Sequence, residues 1–359
     1  MNRRALLFGM AATPGLAAMG VGRPARGAMT ASLSTAATEK GRYFGTAVRI
    51  DQIEANPRLR QAVLNDCGFL TPEIHMKWNA LQPTRDHWTP GPADGLVRFA
   101  QANKLRVRGH ALLWHKSTPQ WAEAEITRER DWNTVGRYIE AVAGRYRDHV
   151  EEWDVVNEPI DAEGSTDGLR DNVFMRSYGS SYIARALEAA RAAAPKARLA
   201  INDYSFEYDN STEEVRRTAF LKLLEKLKTA GAPLDAVGLQ AHLDLSKGPL
   251  KPEILKPFLA EIAGMGLDIA ITELDVNEHD RRLSLRERDA RVADEVRRYL
   301  DIVLDEPRVK GVTTWGLSDE HSWLQAAGAR GAALNRGLPY DAVLEPKPMH
   351  RAIHASLLA

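Results

Sequence analysis

From residue 43 onward, short apolar runs alternate with longer stretches of helical period, and the pair repeats eight times along the chain. The short runs cover residues 43–48, 69–73, 107–114, 152–157, 198–203, 236–242, 268–273 and 311–316. Alternation of this kind gives parallel strands covered by helices. Clear helical periods occupy 137–146, 181–194, 212–229, 252–265 and 285–304; Pro195 stops the second, and a last helix starts near Lys347. A length of 359 residues admits one large α/β domain or two ordinary ones. No break in composition divides the chain, no self-similar period suggests a solenoid or propeller, and no glycine-rich nucleotide loop marks an open doubly wound sheet. The expected fold is therefore α/β, a single (β/α)8 TIM barrel over residues 41–359, with its active site at the C-terminal ends of the strands.

Forty-eight basic residues balance forty-eight acidic ones, so no overall field draws the protein to nucleic acid or to an anionic membrane, and a neutral ligand fits better. Cys67 is the only cysteine, which excludes an intramolecular disulfide and any multi-cysteine metal site; it is expected as a small buried hydrophobe. At the N-terminus, Arg3-Arg4 precede the apolar Ala5-Leu6-Leu7-Phe8, and small residues near 25–28 suit a cleavage site. Residues 1–28 resemble a twin-arginine export signal. Pro14, the glycines, Arg23 and Arg26 leave too little apolar length to span a bilayer. Small polar residues make 29–40 a flexible linker in this reading. The expectation is an exported protein, periplasmic or secreted, with no membrane attachment once the signal is gone, acting as a monomer.

Chemistry in a barrel belongs at the strand ends, and there the chain places Glu73 and Lys77, His110 and Trp114, Asn157 and Glu158, Asn202 and Tyr204, Gln240 and His242, Glu273 and Asp275, and Trp315. Any one of these has a bland explanation as a cap or rim side chain, but seven consecutive strands end alike. Trp153 to Glu158 runs from strand to lip and delivers one glutamate; Ile269 to Glu273 repeats the design. Hydrolysis of an acetal needs a proton for the leaving oxygen and a second carboxylate at the positive sugar carbon, so a glutamate pair is the expected apparatus. Trp114, Trp315 and Trp323 offer flat apolar faces for sugar rings, whereas Trp78, Trp121 and Trp153 suit core or scaffold packing. Histidines 110, 115, 242 and 321 follow no metal-ligand spacing; hydrogen-bonding roles are expected for them, with no metal and no cofactor.

These residues resemble glycoside hydrolase family 10, the endo-β-1,4-xylanase family. The motifs Gly109 to His115, Trp153 to Glu158, Asn202-Asp203-Tyr204, Gly238 to His242, Thr272 to Asp275 and Trp315 to Trp323 fall in family order across nearly the whole barrel. The resemblance implies a retaining endo-β-1,4-glycanase with Glu158 as general acid/base and Glu273 as nucleophile. It implies that Asn157 bonds the sugar 2-hydroxyl and that His242, oriented by Asp275, bonds the nucleophile. His110 and Lys77 become glycone contacts with Glu73 beside them at the distal subsite. Trp315 and Trp323 become the floor and roof of the cleft, and Tyr204 and Gln240 lie near the cleavage point or leaving group. The implied partner is a β-1,4-linked polysaccharide or oligosaccharide, xylan first.

The chain departs from the family string at Ile74, where an asparagine is usual, at Lys116-Ser117 in place of Ser-Gln, at Ser205 and at Pro159. Loss of two amides predicts an altered distal glycone site, with room beside Ser117 for a substituted xylose or a glucose unit. Three other readings stay open at this level: a β-1,4-glucanase or transglycosylase of the same mechanism, a catalytically silent carbohydrate-binding barrel, and a metal-dependent lyase.

Overall fold

A computed structural model describes residues 32–161, 164 and 168–359. The expected export signal at 1–28 lies outside the described residues. Eight parallel strands close on themselves: β1 (Tyr43–Val48), β2 (Phe69–Pro72), β3 (Arg106–Gly109), β4 (Glu152–Asn157), β5 (Arg198–Asp203), β6 (Ala236–Leu239), β7 (Asp268–Asn277) and β8 (Val309–Thr314). Each pairs with its sequence neighbours, and β8 completes the ring by pairing with both β7 and β1. This is the expected (β/α)8 barrel.

Two of the predicted runs are broken. The run 107–114 stops at Gly109 and resumes as the short stretch Leu113–Trp114 beside β4. The run 236–242 stops at Leu239; Ala241 takes a φ of +59°, which no regular strand contains, and His242–Asp244 then pairs with the end of β7. Conversely, β7 runs on past Glu273 to Asn277 because His242–Asp244 gives that extension a partner. The predicted helices appear at Asn133–Tyr146, Tyr182–Ala193, Ser211–Thr229, Pro252–Gly264, Leu285–Val303 and Pro348–Leu358. Their starts carry local signals: Asn210 accepts from the Glu213 N–H at 3.0 Å, and Ser284 with Glu287 forms a reciprocal capping box.

Trp78 and Trp153 are fully buried, Trp78 stacking on Tyr138 with centroids 3.9 Å apart. Trp121 is partly buried and donates its indole N–H to the Gln82 carbonyl at 3.1 Å. All three serve the scaffold, as expected, and Cys67 is a buried apolar neighbour within the core. Gly109 has a packing reason: a Cβ there would stand 2.2 Å from the Trp153 ring.

The linker expected at 29–40 is corrected by the structure over residues 32–40; residues 29–31 lie outside the described residues. Leu33–Glu39 is a helix, capped by Ser32, with Leu33, Ala36 and Ala37 buried. Residues spaced i, i+3 and i+4 form an apolar stripe, and the alanines let it lie close against the Pro348–Leu358 helix. Their small size, which reads as linker composition, is what permits that approach. Asp66 locks the arrangement: it accepts from the Leu33 N–H at 3.3 Å, from the Tyr340 hydroxyl, and from His350 Nε2 at 2.8 Å. Replacing Asp66 with Ala strands buried donors on both terminal segments and should lower unfolding stability by about 2–4 kcal/mol in urea titration. A loss below about 0.5 kcal/mol would show that the two ends hold without this carboxylate.

Candidate active site

Strand register brings the carboxylates together. Asn157 on β4 stands opposite Asn202 on β5, and Asn202 stands opposite Gly238 on β6. Gly238 has no Cβ, and one built there would lie 2.2 Å from Asn202 Oδ1. The Asn202 side chain therefore reaches across β6 to β7, where its Nδ2 donates to Glu273 Oε1 at 2.7 Å and its Oδ1 accepts from Thr272 Oγ1 at 2.7 Å. The same Nδ2 donates to Asn157 Oδ1 at 2.8 Å. Asn202 is 0% exposed, so these bonds are not shared with solvent.

Glu273 is held at both oxygens. His242 Nε2 lies 3.2 Å from Oε2, and His242 Nδ1 lies 2.8 Å from Asp275 Oδ1. Burial alone would lower the His242 pKa, but Asp275 and Glu273 outweigh it and hold the pKa well above the ordinary histidine value. Carboxylate oxygens face both ring nitrogens, an arrangement that favours the protonated ring. Burial pushes the Glu273 pKa up; the His242 hydrogen bond and the charges of His110 and His242 oppose that and prevail, leaving it below the usual glutamate value. The second Asp275 oxygen accepts from Trp323 Nε1 at 2.6 Å, so one aspartate fixes both the imidazole and the half-exposed indole at the cleft mouth.

Glu158 sits differently. It follows the end of β4 with φ at +56°, a left-handed conformation uncommon for a residue with a side chain. Its N–H donates to the Asn202 carbonyl at 2.8 Å, and Arg170 Nε donates to its carbonyl at 2.9 Å. Asn157 and Gln240 approach its Oε1 only at 3.5 Å. Its Oε2 is buried yet makes no hydrogen bond, and Lys116 Nζ stands 3.8 Å away.

On the expected glycone side, a buried charge chain sets His110. Arg108 pairs with Glu152 and, through Nε at 3.0 Å, with Asp154, whose Oδ2 lies 2.9 Å from His110 Nδ1. Burial works against the Asp154 anion, but Arg108 and His110 keep its pKa below the usual range. The His110 ring then meets Trp315 edge-on at 5.0 Å. Lys77 Nζ lies 4.6 Å from the Trp114 ring centre and 5.7 Å from that of Trp315. Burial lowers the Lys77 pKa, with Glu273, Glu73 and Glu158 working the other way, and all three carboxylates line the same cleft as this ammonium. Burial raises the Glu73 pKa, with Lys77 and Arg49 working the other way.

The predicted residues Glu73, Lys77, His110, Trp114, Asn157, Glu158, Tyr204, Gln240, His242, Glu273, Trp315 and Trp323 line one cleft of about 370 Å³, and Asp275 stands behind His242. Sequence reasoning missed three participants. Lys116 lines the cleft; Asn202 was visible only as a strand-end amide; Arg170 braces Glu158 and donates to the Tyr204 hydroxyl at 3.1 Å. The room expected beside Ser117 is corrected: Ser117 is buried, does not line the cleft and donates its hydroxyl to the Trp114 carbonyl at 3.3 Å. Ile74 does not line the cleft either. No group of three His, Cys, Asp or Glu side chains among the described residues is arranged to hold a metal.

Comparison with known proteins shows which family the chain belongs to. The sequence model of Glycosyl hydrolase family 10 matches residues 32–356. An endo-1,4-beta-xylanase A from Phanerodontia chrysosporium is 34% identical over 333 residues, covering 90% of this chain and 76% of the relative. Another from Fusarium oxysporum is 37% identical over 292 residues, covering 79% and 85%. Among solved structures, xylanase 10B from Thermotoga maritima superposes with a TM-score of 0.81 at 31% identity, covering 91% of this chain and 98% of that one. Xylanase 10B from Thermotoga petrophila in complex with xylobiose gives 0.82 at 31% identity, covering 92% and 98%. A match across the whole barrel, together with two buried glutamates in one cleft, places the chain: it belongs to glycosyl hydrolase family 10.

Proposed function

We propose that the protein is an endo-1,4-β-xylanase that cleaves xylan with retention, using Glu273 as nucleophile and Glu158 as acid/base. One observation carries the assignment of roles: the two buried glutamates of the cleft are held in opposite ways. Glu273 receives donors on both oxygens, from Asn202 and His242, which suits a carboxylate that must be anionic when substrate arrives. Glu158 keeps one buried oxygen without a hydrogen bond, which suits a group that carries a proton to the leaving oxygen.

In the first step a Glu273 oxygen bonds to the sugar C1 while the C1–O glycosidic bond breaks, and the Glu158 proton passes to the departing oxygen. In the second step Glu158, now a carboxylate, takes a proton from water as the water oxygen bonds to C1. The ester to Glu273 breaks, and both glutamates return to their starting states with the anomeric configuration retained. Asn157 is assigned to the 2-hydroxyl and His110, Lys77 and Glu73 to the glycone. Trp114, Trp315 and Trp323 serve as sugar platforms, and Tyr204 and Gln240 lie toward the leaving group. Asp275 acts through His242. Asn2-Arg3-Arg4 and the apolar run after them support export by the twin-arginine route, and the enzyme works as a monomer.

Four measurements test this reading. A 2-fluoro xylobioside with a good leaving group should inactivate the enzyme and add its sugar mass to the peptide containing Glu273; an inactivated enzyme with Glu273 unmodified would refute the nucleophile. Glu158→Ala should lower kcat on xylan about a thousandfold, much less on aryl xylosides that need no proton, and external azide should restore turnover. His242→Gln should move the acid limb of the kcat/KM profile up by about one pH unit. The sign follows from Glu273: without His242 burial meets less opposition, the carboxylate protonates at higher pH, and activity fades sooner on acidification. Gly238→Ala pushes Asn202 out of place and should cost about a hundredfold in kcat with the circular dichroism spectrum intact. A folded variant within twofold of the parent would remove that positioning role.

A further inference from the structure

We propose that Lys116 recognises a carboxylate carried by the substrate, a uronic acid branch on the xylan chain, and makes the enzyme selective for acidic xylan. The proposal rests on the xylanase reading above and deepens it to a substrate class.

Lys116 follows the Leu113–Trp114 stretch, and its side chain, 60% exposed, lines the cleft while its neighbour Ser117 is buried. The ammonium stands 5.6 Å from the Trp114 ring centre, and Lys77 stands 4.6 Å from the same ring. Two cations thus flank one indole in a cleft whose proposed polymer backbone is uncharged. Lys77, which is only partly exposed, lines the cleft together with Glu273, Glu73 and Glu158. Lys116 has one ion-pair contact among the described residues, Glu158 Oε2 at 3.8 Å, beyond hydrogen-bond distance.

That counter-charge, the one Lys116 has among the described residues, is absent at the moment that matters. Glu158 must hold a proton when the glycosidic bond breaks, so the carboxyl opposite Lys116 is neutral in the complex that binds substrate. An exposed ammonium beside a neutral acid then favours an anion arriving with the ligand. The β-1,4-xylose backbone has no ionisable group; a uronic acid branch supplies a carboxylate on a flexible side unit that reaches past the backbone. The three donors of a lysine ammonium and its long stem suit such a mobile anion.

The test compares kcat/KM of the enzyme on glucuronoxylan and on the same polymer after its uronic carboxyls are reduced to primary alcohols, at low salt. The parent should favour the acidic polymer by about fivefold, the factor a partly exposed charge pair supplies, and added salt should compress the ratio. Lys116→Gln should bring the ratio to about one, and Lys116→Arg should keep it. A parent ratio near one, or a ratio that survives Lys116→Gln, overturns the proposal. Equal loss on both polymers in Lys116→Gln with the ratio kept assigns Lys116 to Glu158 alone and overturns it too. A parent that cleaves neither polymer overturns the xylanase reading itself and takes this proposal with it.

Discussion

The carboxamide of Asn202 crossing β6 is the contact on which the site depends. It ties Asn157, Thr272 and Glu273 together with bonds of 2.7–2.8 Å, so three strands share one buried polar group. Such a link forms only if the intervening strand offers no side chain at that level, and Gly238 meets that condition. A closed parallel barrel has no free edge along which the register could slip, because every strand is paired on both sides. Register therefore becomes a device for fixing a carboxylate at fractions of an ångström.

Around that link the cleft balances charge instead of removing it. Burial works against the charged forms of Glu273, Asp154 and His242, and in each case hydrogen-bonded partners of opposite charge outweigh it and shift the pKa toward the charged form. Under the proposed mechanism the consequence is preorganisation: donors already point at Glu273, so little reorientation would be left for the reaction. Glu158 is the exception, held by backbone bonds through its own N–H and carbonyl while its carboxyl stays weakly tethered. That looseness suits the acid/base role proposed for Glu158, which has a proton to give up and recover in each turnover.

Much of this was legible in advance and some was not. The strands and the glutamates at their ends follow from local periodicity and from the rule that barrel chemistry sits at the C-terminal face, and both held. The broken ends of β3 and β6 were not legible, because an apolar run shows where the chain can be buried and not where its dihedrals leave the ladder. The Leu33–Glu39 helix was hidden by its alanines, whose smallness resembles a linker until a partner helix is there to pack against. Ser117 was assigned to the cleft that Lys116 lines: loops lack a period, so adjacent residues cannot be sorted into cleft and core without coordinates.

The sequence by itself determined the barrel, the two catalytic candidates and the aromatic and charged residues around them, since these depend on spacing along the chain and on side-chain chemistry. Only the tertiary structure decided which donor reaches which oxygen. Asn202 and Glu273 are 71 residues apart and meet across a third strand, and a hydrogen bond is made or lost over less than an ångström of approach. Nothing local to either residue encodes that distance; it is set by the packing and pairing of the whole ring.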